Sequence, residues 1–152
     1  MKKVFSVLLL AFIIVSCSSI TGEEIARLSL DKVSTKNNIF EKEISLALEK
    51  DDEISFWTKM DFKYENDVEI RYRIRVYKND EEFKVLEYDP REKNITFGEV
   101  KTSFNDKTNW SFTGKNGELK IDETAQYTFK AILKTSTNKS FVFKVADLIL
   151  KK

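Results

Sequence analysis

Over residues 68–76, apolar and polar side chains alternate without a break. Val68, Ile70, Tyr72, Ile74 and Val76 stand against Glu69, Arg71, Arg73 and Arg75. Only an extended strand sorts such a run onto two faces, because its side chains repeat every two residues and those of a helix every 3.6. The same period recurs upstream. Phe40, Ile44, Leu46 and Leu48 share a face opposite Glu41, Glu43 and Glu49. Ile54, Phe56, Met60, Phe62 and Tyr64 alternate with Ser55, Lys59, Asp61 and Lys63. Trp57 has the opposite parity to its apolar neighbours, which places it on the outer face or after a bulge.

Turn residues divide these runs. Glu65-Asn66-Asp67 and Lys78-Asn79-Asp80 each separate two strands, and Asp89-Pro90 closes a segment at residues 83–88. Residues 95–104 read as a less regular strand. Trp110 begins another, which the Asn116-Gly117 pair is expected to end in a tight hairpin. Residues 127–133 and 141–145 form a final pair joined by the loop at 135–139. About eight strands with short connections and little helix predict an all-β fold, an antiparallel β-sandwich, with a closed barrel as the alternative. Residues 23–38 fit a short helix or a first strand, and the domain is drawn from residue 39 to residue 152.

Ile121, Ala125 and Tyr127 are spaced as in the corner before strand F of immunoglobulin-like and fibronectin type III domains. Trp57 and the run Tyr72-Arg73-Ile74-Arg75-Val76-Tyr77 also resemble the type III pattern, so the similarity extends over residues 53–145. The resemblance implies a sandwich in which the tyrosine hydroxyl bonds back to the chain and strands C, F and G share a sheet. A fold of this kind does not give a function.

The N-terminus has its own signature. Lys2 and Lys3 precede an apolar run at residues 4–15 that only Ser6 interrupts. It is too short for a membrane-spanning helix, which needs about 20 residues, and fits the apolar region of a secretory signal. Ile14-Val15-Ser16-Cys17 resembles the bacterial lipobox. The resemblance implies cleavage after residue 16, acylation of Cys17, and a polar tether through Ser18 and Ser19 to residue 38. It also implies a cell-envelope location, with Ser18 favouring the outer membrane over the inner or the Gram-positive plasma membrane. Lipid anchoring makes the membrane the first expected partner.

The chain has 152 residues, one cysteine and no histidine. One cysteine cannot close an internal disulfide, so packing alone must hold the fold. The commonest general base and transition-metal ligand are missing. With 26 basic and 25 acidic side chains there is no global charge to attract nucleic acid. The residues present no catalytic constellation, so a non-catalytic chain without metal or cofactor is expected.

The sharpest surface feature is Arg71, Arg73 and Arg75, spaced about 7 Å apart on one face of one strand. If strands C, F and G share a sheet, Lys130 and Lys144 join them in a basic strip. Guanidinium groups bind carboxylate and phosphate bidentately, so an envelope protein, an acidic glycan or a host molecule is the expected partner. The alternative is a solvated face neutralised by acids such as Glu82 or Glu87. Trp57 and Trp110 would offer flat contact surfaces if exposed. A structural accessory lipoprotein would instead make its contact through an apolar patch or a free strand edge.

Overall fold

The computed structural model describes residues 21–136 and 140–152. The leader and Cys17 lie outside them, as does most of the 135–139 loop. The described residues form nine strands: β1 (Glu24–Ser29), β2 (Lys42–Leu48), β3 (Glu53–Glu65), β4 (Ile70–Lys78), β5 (Glu81–Tyr88), β6 (Ile95–Phe104), β7 (Lys107–Lys120), β8 (Ala125–Thr135) and β9 (Val142–Lys151). They make two separate antiparallel sheets, ordered β1-β9-β3-β7-β6 and β2-β8-β4-β5. The fold is therefore a sandwich and not a closed barrel.

The alternating faces build the core. Ile70, Tyr72, Ile74 and Val76 of β4 are fully buried, as are Tyr127, Phe129, Ala131 and Leu133 of β8. Opposite them lie Ile54, Phe56, Met60 and Phe62 of β3, with Leu148 and Leu150 of β9. Completely burying one such side chain stabilises by about 1.5–3 kcal/mol, so the core favours this pairing of faces over any register slip. The Tyr127 hydroxyl donates to the Glu123 carbonyl at 3.0 Å and to Asp122 Oδ1 at 3.1 Å, which is the backward bond expected of the corner.

Three expectations are corrected. First, the residues upstream of 39 are not all tether. β1 pairs with β9, and Leu28 and Leu30 enter the core, so the sheet begins near Glu24. Second, the last strand does not flank β8. β9 runs to Lys151 between β1 and β3, while β2 takes the place beside β8.

Third, Asn116-Gly117 is no hairpin turn. Phe56 pairs with Gly117 and Trp57 with Lys115, leaving Asn116 as an extra residue bulged out of β7. The real hairpin between β6 and β7 turns at Asn105 and Asp106, with Asn105 at φ 50°. Gly117 serves a close approach instead. A Cβ there would sit 2.5 Å from the Tyr88 ring.

Trp57 lies on the outer face, one of the two placements its parity allowed, and is buried there at 1% exposure. Phe97 stacks on it with centroids 5.9 Å apart, and the Lys151 ammonium lies 4.7 Å from the ring. Its indole N–H donates to Ser55 Oγ at 3.0 Å.

Candidate interaction surfaces

β4 presents Arg71, Arg73 and Arg75 on the outer face of the four-stranded sheet, as the alternation predicts. Lys130 is the β8 partner of Arg75 and joins them. Lys144 does not, because β9 belongs to the other sheet.

Acids from the flanking strands interleave with these cations. Lys130 Nζ is 3.0 Å from Glu43 of β2, and Arg73 Nε is 3.6 Å from Glu87 of β5. Arg73 Nε is buried and makes no hydrogen bond within the described residues. Arg75 is pushed above its ordinary value, first by its bond with the Tyr77 hydroxyl and further by the field of Glu41 and Glu82. The face is thus a lattice of alternating charge.

Arg71 has a structural duty. It donates to Asp89 Oδ2 at 2.6 Å. Arg91 donates to the same carboxylate through its backbone N–H, Nε and Nη2, and through Nη1 to the Val68 carbonyl. Burial alone would raise the Asp89 carboxyl, but these donors outweigh it and hold it below the ordinary carboxylate value.

Beside this cluster is an open cleft of about 420 Å³ lined by Glu87, Tyr88, Asp89, Glu92, Lys93, Asn94 and Asn116. The bulged Asn116 closes its floor. Its amide donates to the carbonyls of Asp89 and Glu92 at 3.2 and 2.9 Å and accepts from Thr58 Oγ1 at 2.8 Å. Lys93 is ion-paired with Glu99 at 3.0 Å. The polar side chains at the cleft floor hold the loop together.

Trp110 is half-buried on the core side. It packs against Phe62 and Phe112, lies under the Lys93 and Lys101 ammonium groups at 4.9 and 4.0 Å, and donates to Glu99 at 2.8 Å. Cations over an indole face stabilise it where it stands and leave little flat surface free.

Asp51 and Asp52 form an acidic turn that is likewise engaged. Asp52 takes Lys152 at 2.8 Å, and Asp51 takes Lys120 at 3.1 Å. Among the described residues, no group of three carboxylate, cysteine or histidine side chains is placed to hold a metal, and no helix is long and apolar enough to cross a membrane.

The surface that sequence reasoning missed is β6. This strand is one of the two edges of the five-stranded sheet, and among the described residues it pairs only with β7. Ile95, Phe97, Val100 and Phe104 are 36, 48, 62 and 77% exposed. A bulge between Phe97 and Val100, with Gly98 at φ 58°, breaks the strand. Natural edge strands are usually blunted by charge, as β5 is by Glu81, Glu82, Lys84 and Glu87. Over residues 95–104 the charged side chains are Glu99 and Lys101, and both turn in toward Trp110. The uneven alternation and the mid-strand glycine were the sequence signal of an edge.

In comparison with known proteins, no family model and no curated protein sequence matches the chain.

Proposed function

We propose that the chain is a lipid-anchored protein of the bacterial cell envelope, held in the outer membrane by Cys17, and that it acts as a non-catalytic interaction module. The contact surface is the β6 edge. The observation that carries this is the exposed apolar series Ile95, Phe97, Val100 and Phe104 along a strand whose outer side has no neighbour among the described residues. The arginine strip supports a contact less well, because Glu43, Glu87 and Asp89 already answer its cations. A structural accessory lipoprotein that helps assemble an envelope complex would use the same edge.

The immunoglobulin-like relation belongs to this reading. β3-β7-β6 follow the order of strands B, E and D, and β8-β4-β5 that of F, C and C′. The Tyr127 corner supports it further. The terminal strands are exchanged: β9 stands beside β3 where strand A would, and β2 beside β8 where strand G would.

The anchor is tested first. Cys17→Ser should move the protein out of the membrane fraction, and unchanged retention would count against lipidation. Capture of envelope proteins from detergent-solubilised membranes then locates the surface. The double change Val100→Lys with Phe104→Lys should abolish capture and leave the fold intact, since both side chains are exposed. Arg73→Ser with Arg75→Ser should leave capture unchanged. The reverse pattern returns the contact to the arginine strip.

A further inference from the structure

Resting on the reading of β6 as the contact edge, we propose that its partner is the β6 of a second copy of this chain, paired antiparallel about a two-fold axis at Thr102. The strand carries the match in its own residues. Val100, Thr102 and Phe104 pair through β7 with Asp61, Lys63 and Glu65 of β3. Those positions alternate with the buried Met60 and Phe62, so Val100, Thr102 and Phe104 all face outward.

Phe104 and Lys107 flank the two-residue turn at Asn105 and Asp106. The closing pair of such a hairpin exchanges both of its hydrogen bonds. Counting back along the ladder, Phe104, Thr102 and Val100 spend their backbone groups on β7. The side-chain hydroxyls of the intervening Ser103–Thr108 pair lie 3.0 Å apart, as the closer spacing of a non-hydrogen-bonded pair allows. Lys101 and Ser103 therefore turn their N–H and C=O groups to the open edge.

An axis at Thr102 answers each of these features. Lys101 of one copy meets Ser103 of the other, twice, and the four outward backbone groups on each strand find partners. Val100 meets Phe104, twice, so that two of the most exposed large apolar side chains of the described residues cover each other. An axis at Lys101 would bring like charges together, and one at Ser103 would set Phe104 against Thr102. The bulge beyond Val100 confines the match to residues 100–104. That is far smaller than the 20–30 residues a side of a roughly standard interface, so the association is weak and concentration-dependent. The operation sets the copies head to foot, with their Glu24 ends at opposite extremes. Two copies held by one bilayer pair only while their strands lie along it.

The test is a cysteine at the axis. In a non-hydrogen-bonded antiparallel pair the facing Cα atoms are about 4.5 Å apart, within disulfide reach. The full-length chain carrying Thr102→Cys is oxidised in its own membranes with copper phenanthroline, beside a Val142→Cys control on β9. A disulfide-linked homodimer is expected from Thr102→Cys and not from the control, and it should be lost when Val100→Lys and Phe104→Lys are added. Dimer no more abundant than in the control overturns self-pairing. A disulfide adduct to a different protein also overturns it, while leaving β6 as the contact edge. If the β6 double change has already failed to affect capture, the underlying reading has fallen as well.

Discussion

Asp89 shows what a charged residue does in this fold. It is 8% exposed and accepts from two arginines that arrive from β4 and from the adjacent loop. Truncating one partner of a buried pair costs about 3–5 kcal/mol; here both arginines keep some solvent contact, so Asp89→Asn should cost about 2 kcal/mol. The pH dependence follows from the lowered carboxyl. Its contribution is present above the unfolded value near 4 and is lost as pH falls through the lower folded value. Urea denaturation of wild type and Asp89→Asn should therefore differ most at neutral pH and converge as pH falls below the ordinary carboxylate range. A constant difference across that range would remove Asp89 from the acid response. The same pair changes how Arg71 is to be read. In sequence it is one of three equivalent arginines; in the fold it is committed to Asp89, and its replacement perturbs stability along with any binding.

At the scale of the element, the strands were legible and their interruptions were not. β4 and β3 follow their alternation residue by residue because each buries one whole face. β7 departs from its expected end because Asn-Gly, a favoured turn pair, is also suited to a bulge: Asn116 leaves the ladder to bind the 89–92 loop, and Gly117 lets Tyr88 approach. This reading makes Gly117→Ala costly. The added methyl overlaps the Tyr88 ring, and over-packing of that kind costs about 1–3 kcal/mol, visible as a lowered midpoint in thermal melting. The identity of β6 as a free edge was hidden for a different reason. Exposed apolar residues at 95, 97, 100 and 104 look in sequence like another half-buried strand, and only the absence of a neighbour beyond β7 reveals them.

Among the described residues, the start of β1 is joined to the end of β9, and the β6 edge is remote from both. Glu23 and Lys152 exchange backbone bonds at 2.8 and 2.9 Å, which sets the start of β1 beside the end of β9. Phe104 lies by the far end of β3, a strand of about 40 Å at 3.3 Å per residue. β1 joins that base to the sandwich, and Arg27 and Ser29 fasten it to Asp147 of β9 at 2.8 Å each. A chain truncated to begin at residue 39 should therefore lose its folding transition, because Leu28 and Leu30 leave the core and each such loss costs about 2–5 kcal/mol. A truncated chain that melts at the wild-type temperature would restore those residues to a mere tether.

Strand content, the buried face of most strands and the bond from the Tyr127 hydroxyl back to the chain were legible in the residues alone. Those properties are local: side-chain period and spacing express them within a few residues. Tertiary structure alone decided which strands are neighbours. The backbone offers the same N–H and C=O groups at every position, so β9 beside β3 and β2 beside β8 are chosen by long-range packing of the two sheets. That choice separated Lys144 from the arginines and left β6 with no described neighbour beyond β7.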